Sequence, residues 1–192
     1  MTRDDALGRA LLALARGAIG QKLGVSGEGP PDHQALDAPG ATFVTLFGAA
    51  GLRGCIGSLQ AQRPLRDDVR DNALKAAFSD PRFPPLAKGE LAETSIEISL
   101  LSQSRVMHMA SEAELRRLLR PGIDGVTLEH GPHRATFLPQ VWTTLPDAAA
   151  FLAELKRKAG LDAGFWSPQL NVGLYEVTKW RESDFAPLRE LL

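Results

Sequence analysis

The sequence predicts an α+β fold: a largely antiparallel sheet with flanking helices, in two unequal lobes sharing a core. Three observations carry this. Runs of period-two alternation mix with runs of helical period and never settle into a strand–helix–strand rhythm. Two pairs of strand-like runs are joined by tight turns, as in antiparallel hairpins. The length, 192 residues with 44% hydrophobic and 23% charged side chains, suits a single domain, or two lobes, with a sizeable interior.

Near the N-terminus Leu7, Leu11, Leu14, Ala18 and Ile19 recur every three or four residues, which predicts an amphipathic helix with Asp4 or Asp5 favouring its start. "GVSGEGPPDHQALDAPGA" (24–41) is rich in Gly and Pro and reads as a long, mobile surface connection. "ATFVTLFG" brings β-branched and aromatic residues, with Phe43, Thr45 and Phe47 on one face and Val44 and Leu46 on the other. After the turn "AAG", "LRGCIGS" returns as the second strand of a hairpin. Pro64 then opens a helix as a first-turn proline, with Leu65, Val69, Ala73, Ala76 and Ala77 as its buried stripe. "SDPRFPPL" ends that helix with three prolines.

"TSIEISLLS" alternates cleanly, which predicts a half-buried strand with Ile96, Ile98 and Leu100 inward and Glu97 and Ser99 opposite. Ser111 and Glu114 have capping-box spacing ahead of Leu115, Leu118 and Leu119, and "PGIDG" stops that short helix. "VTLEH" and "HRATFL" flank Gly131-Pro132 as a second hairpin. Asp147 caps a helix running through Phe151, Leu152 and Leu155 to "KRKAG", where basic residues oppose the negative helix end. "VGLYEVTKW" closes the fold as one last strand. Trp142, Phe151 and Trp166 read as core rather than as a stacking platform.

Function classes are narrowed by charge and cysteine usage. With 22 basic and 23 acidic residues the net charge is −1, which argues against a dedicated nucleic-acid binder while leaving room for a local basic patch. The single cysteine can form no internal disulfide and excludes a zinc site of two or more thiolates. The N-terminus lacks the pattern of a signal peptide, and no apolar run approaches the ~20 residues of a membrane span. A cytoplasmic protein is expected. No dinucleotide fingerprint, P-loop or metal cluster appears, so no cofactor or metal is expected.

That cysteine lies in "LRGCIG". On an extended strand Arg53, Cys55 and Gly57 share one face, with the Arg53 guanidinium about 7 Å from the sulfur along the strand. A nearby cation favours a thiolate, and flanking glycines let a ligand or another backbone approach. The competing reading is a buried cysteine acting as a small hydrophobe in a narrow strand. No histidine has a spacing that forces it beside Cys55; His33 lies in the long connection, His108 precedes a helix, and His130 and His133 flank a turn. Glu97 reads as a solvated or salt-bridged carboxylate, of functional interest if Arg53 lies across from it. Asp80-Pro-Arg-Phe reads as a loop clasp, with Arg82 on a carboxylate and Phe83 plugged into the core.

In order, "FVTL…GLRGCIGSL", "PL…V…NALKAAFSDPRFPPL", "IEISLLS", "PGIDGVTLEHG…ATFLPQVW" and "LKRKAGL" resemble the AMMECR domain family, whose bacterial and archaeal members are also called protein A of the AmmeMemoRadiSam system. The resemblance runs from about Leu7 to Val177 and implies that residues 1–192 are one AMMECR-type domain. It implies an α+β architecture with LRGCIG beside a cleft, and a shared pathway with Memo-type and radical-SAM partners. It brings no established reaction. Within its blocks fall Arg53, Gly54, Cys55, Gly57, Asp80, Arg82, Phe83, Glu97, Ser99 and Phe137 to Gln140.

Two functions remain open at this point. One is an enzyme-system component with Cys55 as nucleophile or covalent carrier and Arg53 as its catalytic cation, while Gly54, Gly57, Arg82, Glu97 and Gln140 contact a small-molecule substrate. The other is a non-catalytic module binding a nucleotide, nucleic acid or partner protein in the same cleft, with Arg53, Arg82 and Arg134 supplying contacts.

Overall fold

The computed structural model describes residues 3–25, 29 and 31–185. Along the chain run α1 (Asp5–Lys22), β1 (Pro39–Gly48), β2 (Gly51–Gly57), β3 (Arg63–Pro64), α2 (Leu65–Phe78), β4 (Ser95–Leu101) and β5 (Arg105–Met107). There follow α3 (Glu112–Leu118), β6 (Gly125–His130), β7 (His133–Phe137), α4 (Ala148–Lys158), β8 (Asn171–Tyr175) and β9 (Val177–Arg181). This is an α+β fold in two compact units. The first comprises the described residues up to Leu101 and from Thr178 on, and the second comprises Ser102–Val177.

In the first unit the strand order is β2-β1-β4-β9, with β3 on the start of β1. β1 is antiparallel to β2, β3 and β4. Asp4 caps α1 by accepting the amides of Ala6 and Leu7, each at 3.1 Å. Both helices lay their apolar stripes on the sheet face carrying Val44, Leu46, Ile96, Ile98 and Trp180. The N-terminal part of α2 is fixed there by a buried polar knot. Asp68 accepts from the Thr42 amide and hydroxyl, each at 2.8 Å, from Ser58 at 2.7 Å and from Arg63 at 3.0 Å.

In the second unit the order is β5-β8-β6-β7. Val126, Leu128, Val172 and Leu174 pack against Leu115, Trp142, Phe151 and Leu155. Trp142 stacks on Phe151 at 3.8 Å between ring centroids, as core residues. The buried apolar residues form a cluster in each unit, because each sheet carries helices of its own.

Other expectations shift in detail. "VGLYEVTKW" is two strands, β8 and β9, in different sheets. Between them Glu176 leaves the ladder: its carbonyl accepts from the Ser102 amide at 2.9 Å and its amide donates to the Ser102 hydroxyl at 3.0 Å. Pro64 is the N-cap of α2, one place before the first turn, because it still pairs with Pro39. Glu114 donates its amide to Ser111, but its carboxylate returns to the Ala110 amide, not to Ser111. Part of the 24–41 connection lies outside the described residues; its described end holds a 3-10 turn, Gln34–Asp37, that buries Leu36.

Candidate functional site

The LRGCIG segment is β2, at the edge of the first sheet, and its side chains alternate as the pattern requires. Gly54 and Ile56 lie opposite Leu46 and Val44, on the face covered by the helices. Cys55 lies opposite Thr45, which in turn lies opposite Glu97, so thiol, hydroxyl and carboxylate form one row across three strands on the outer face.

Both glycines are explained by packing. A Cβ on Gly54 would fall 2.1 Å from the Ala76 carbonyl oxygen, so Gly54 lets α2 close onto the strand. A Cβ on Gly57 would fall 2.3 Å from the Phe43 ring and 2.6 Å from the Thr42 carbonyl oxygen. At both positions the space a side chain would take is already filled by the protein. Their missing side chains make room for the protein itself.

Arg53 also departs from expectation. The β1–β2 register shifts between Leu46 and Phe47, which leaves Arg53 as an extra, bulged residue. Its fork grips Glu90, with Nε 2.9 Å from Oε1 and Nη2 3.1 Å from Oε2, while Nη1 donates to the Pro84 carbonyl at 2.9 Å. The guanidinium therefore anchors residues 84–90 instead of facing the thiol or Glu97. Glu90 is held below the ordinary glutamate range, first by its hydrogen bond from Arg53.

Arg82 is the cation at Cys55: it bonds the backbone carbonyl and also faces the thiol, and it is raised above its usual range first by its hydrogen bond to Asp80, with a smaller contribution from Cys55. The Cys55 amide donates to Asp80 Oδ2 at 2.8 Å, and its carbonyl accepts from Arg82 Nη2 at 3.2 Å. Asp80 and Arg82 pair at 2.6 Å, so an ion pair stands in for the missing neighbouring strand. The Asp80 carboxylate is almost fully buried and lies well below the ordinary range, mainly through the hydrogen bond from Arg82 against the opposing effect of burial. Phe83 is half-buried under Arg82, with the guanidinium 5.4 Å from the ring centroid; Leu86, not Phe83, enters the core.

Because both polar backbone groups of Cys55 point away from β1, Cys55 and Thr45 form a non-hydrogen-bonded pair, the closer of the two antiparallel arrangements. The Thr45 hydroxyl accordingly donates to the sulfur at 3.3 Å. Cys55 is half-buried. Further along the row Glu97 is buried, where a half-buried strand predicted an open face. It takes Lys179 Nζ at 3.2 Å on one oxygen and Arg181 Nε on the other. Arg181 is raised above its usual range by that bond to Glu97.

Thr45, Lys179 and Arg181 were not singled out by sequence reasoning. The signal was present: Thr45 alternates with two core residues, and Lys179 and Arg181 flank core Trp180 at period two. Gln140 lies exposed in the second unit, in a 3-10 turn where its carbonyl accepts from Thr143 at 2.7 Å. Arg134 is also in that unit, 3.9 Å from Glu129. Three of the four histidines have other partners, and His108 is exposed in the second unit. His33 caps a turn, His133 Nδ1 lies 3.0 Å from the Ala159 carbonyl, and His130 meets Phe165 edge-on. Among the described residues no three His, Cys, Asp or Glu side chains are grouped to hold a metal, and no helix is long and apolar enough to cross a membrane.

The AMMECR1 family profile matches residues 12–180. A protein of Methanothermobacter thermautotrophicus is 36% identical over 187 residues, covering 95% of this chain and 96% of its own length. One from Sulfurisphaera tokodaii is 37% identical over 179 residues, covering 85% of this chain and 76% of its own. The crystal structure of an uncharacterised protein, PH0010, from Pyrococcus horikoshii superposes with a TM-score of 0.76 at 32% identity, covering 93% of this chain and 92% of that one.

Proposed function

Since the chain belongs to the AMMECR1 family, we propose that it serves as a component of an enzyme system, beside Memo-type and radical-SAM proteins, with the Cys55 thiol as its reacting group. One observation carries this reading. Each of the other inner LRGCIG positions has a packing or anchoring reason: Arg53 grips residues 84–90, Gly54 admits α2, Ile56 packs on the core and Gly57 accommodates Phe43. The sulfur has none of these jobs; it stands on the outer face beside a hydroxyl, in a row that ends two strands away at a buried carboxylate. A thiol so held supports nucleophilic or covalent-carrier chemistry, with Thr45 fixing its rotamer and Glu97 at the far end of the row.

The test is alkylation of the folded protein with iodoacetamide, read by intact mass, together with co-purification with the Memo-type and radical-SAM proteins. One added group, absent in Cys55→Ser, and retention of a partner are expected. A thiol that reacts only after denaturation would remove Cys55 from the chemistry, and a blank co-purification would remove the shared system.

A second reading is a non-catalytic module binding a nucleotide, nucleic acid or protein on the same face. It is favoured by one fact: among the described residues the sulfur's neighbours are the Thr45 hydroxyl and the Arg82 guanidinium, and no histidine bonds to it as a base. Nucleotide or RNA affinity that falls steeply with salt and survives Cys55→Ser supports this reading.

A further inference from the structure

We infer that the outer face of the first sheet binds an elongated oxyanion, a carboxylate or phosphate, docked on Arg181 and Lys179 with its other end at the thiol. This deepens the assignment of Cys55 above and rests on it. Glu97 is one buried carboxylate faced by two cations, and these remain open to solvent: the Lys179 side chain is 42% exposed and that of Arg181 58%. Arg181 engages Glu97 through Nε, while its two terminal nitrogens carry no hydrogen bond among the described residues. An arginine fork with its outer donors unused matches the paired oxygens of a carboxylate or phosphate. Asp184, the other carboxylate near Arg181, accepts the Arg181 backbone amide and is paired to Arg3 at 2.7 Å.

One more group on this face is open. Ser99 lies two residues along β4 from Glu97, on the same face; its hydroxyl has no partner among the described residues and is not sealed from solvent, so it can donate to a bound oxyanion. Successive strands are about 4.8 Å apart, so the backbones of Glu97 and Cys55 are about 10 Å from each other. A ligand spanning cations and thiol is therefore extended, with its charge at one end.

The probe is N-bromoacetyl-6-aminohexanoate, whose extended length suits that span, compared with its uncharged methyl ester. Reaction forms a sulfur–carbon bond as bromide leaves with the electron pair of the broken carbon–bromine bond. The acid is expected to label Cys55 at least about tenfold faster than the ester, the effect of one charge-assisted hydrogen bond. The rate should saturate, and inorganic phosphate or glutarate should slow it, the stronger protector identifying the preferred oxyanion. Arg181→Gln should abolish the advantage without changing the ester rate, with Lys179→Gln as the substitute should the first variant not fold. Equal rates for acid and ester, or an advantage that survives both substitutions, overturns the inference. If no reagent labels Cys55, the reading of the thiol falls by itself. The anion site is then decided by thermal shift with inorganic phosphate: stabilisation of the wild type but not of Arg181→Gln upholds it, and no shift overturns it.

Discussion

At Gly54 the neighbour of a hypothetical methyl group is a backbone carbonyl 2.1 Å away, and a helix backbone cannot turn aside as a side chain can. Gly54→Ala is therefore expected to cost about 1–3 kcal/mol or more through overpacking. The check is a lower urea midpoint with an unchanged slope. A variant as stable as the parent would show that α2 is free to retreat. Much at this scale was legible in the sequence. Alternation placed Cys55 and Arg53 on strand faces, and the spacing of the DPRF segment announced the clasp between Arg82 and a carboxylate. The direction of Arg53 was not legible, because a single bulged residue redirects a side chain without disturbing the hydrophobic pattern. Nor was the convergence of Lys179 and Arg181 on Glu97, more than eighty positions earlier, since long-range pairing leaves no local trace.

The edge strand β2 is closed at its midpoint by a salt-bridged loop rather than by another strand, which gives this element a pH dependence. Asp80 has a lower pKa folded than unfolded, so its contribution to stability is complete above its unfolded value of about 3.9 and is lost as pH falls below it. Asp80→Asn should thus be less stable than the parent at pH 7, with the difference shrinking as the pH is lowered through about 4 to 3. Urea midpoints of the two proteins across that range decide it; a constant difference would mean that the clasp acts through shape alone. Elements of this size were read from the sequence in proportion to their length. α1, α2, α4, β1, β2, β4 and the β6–β7 hairpin all carry full periods, and all are found. β3 and β5, of two and three residues, are too short to carry a period. The β8–β9 run alternates without interruption through Glu176, so only the change of hydrogen-bond partner, to Ser102, reveals the break.

On the scale of the whole molecule, the second unit is a continuous stretch, Ser102–Val177, inserted between two neighbouring strands of the first sheet, β4 and β9. Composition suggested a sizeable interior but was silent on its division, since apolar totals do not record which sheet each residue joins. A chain ending at Val177 should retain the second unit's sheet and core and lose those of the first. Without β9, β4 has an unpaired edge, Glu97 lacks both cations and Trp180 is missing from beneath α1 and α2. Hydrogen exchange followed by peptide mass analysis should show protection in β6 to β8 alone; protection throughout β1 and β4 would contradict this. The same insertion sets a timetable during synthesis. A ribosome finishes everything in the second unit before it releases the strand that completes the first, so the thiol-bearing sheet waits, open along one side, for its last few residues. In the interval that nascent sheet depends on whatever shields it, and a stalled or shortened chain would emerge as an aggregation-prone intermediate.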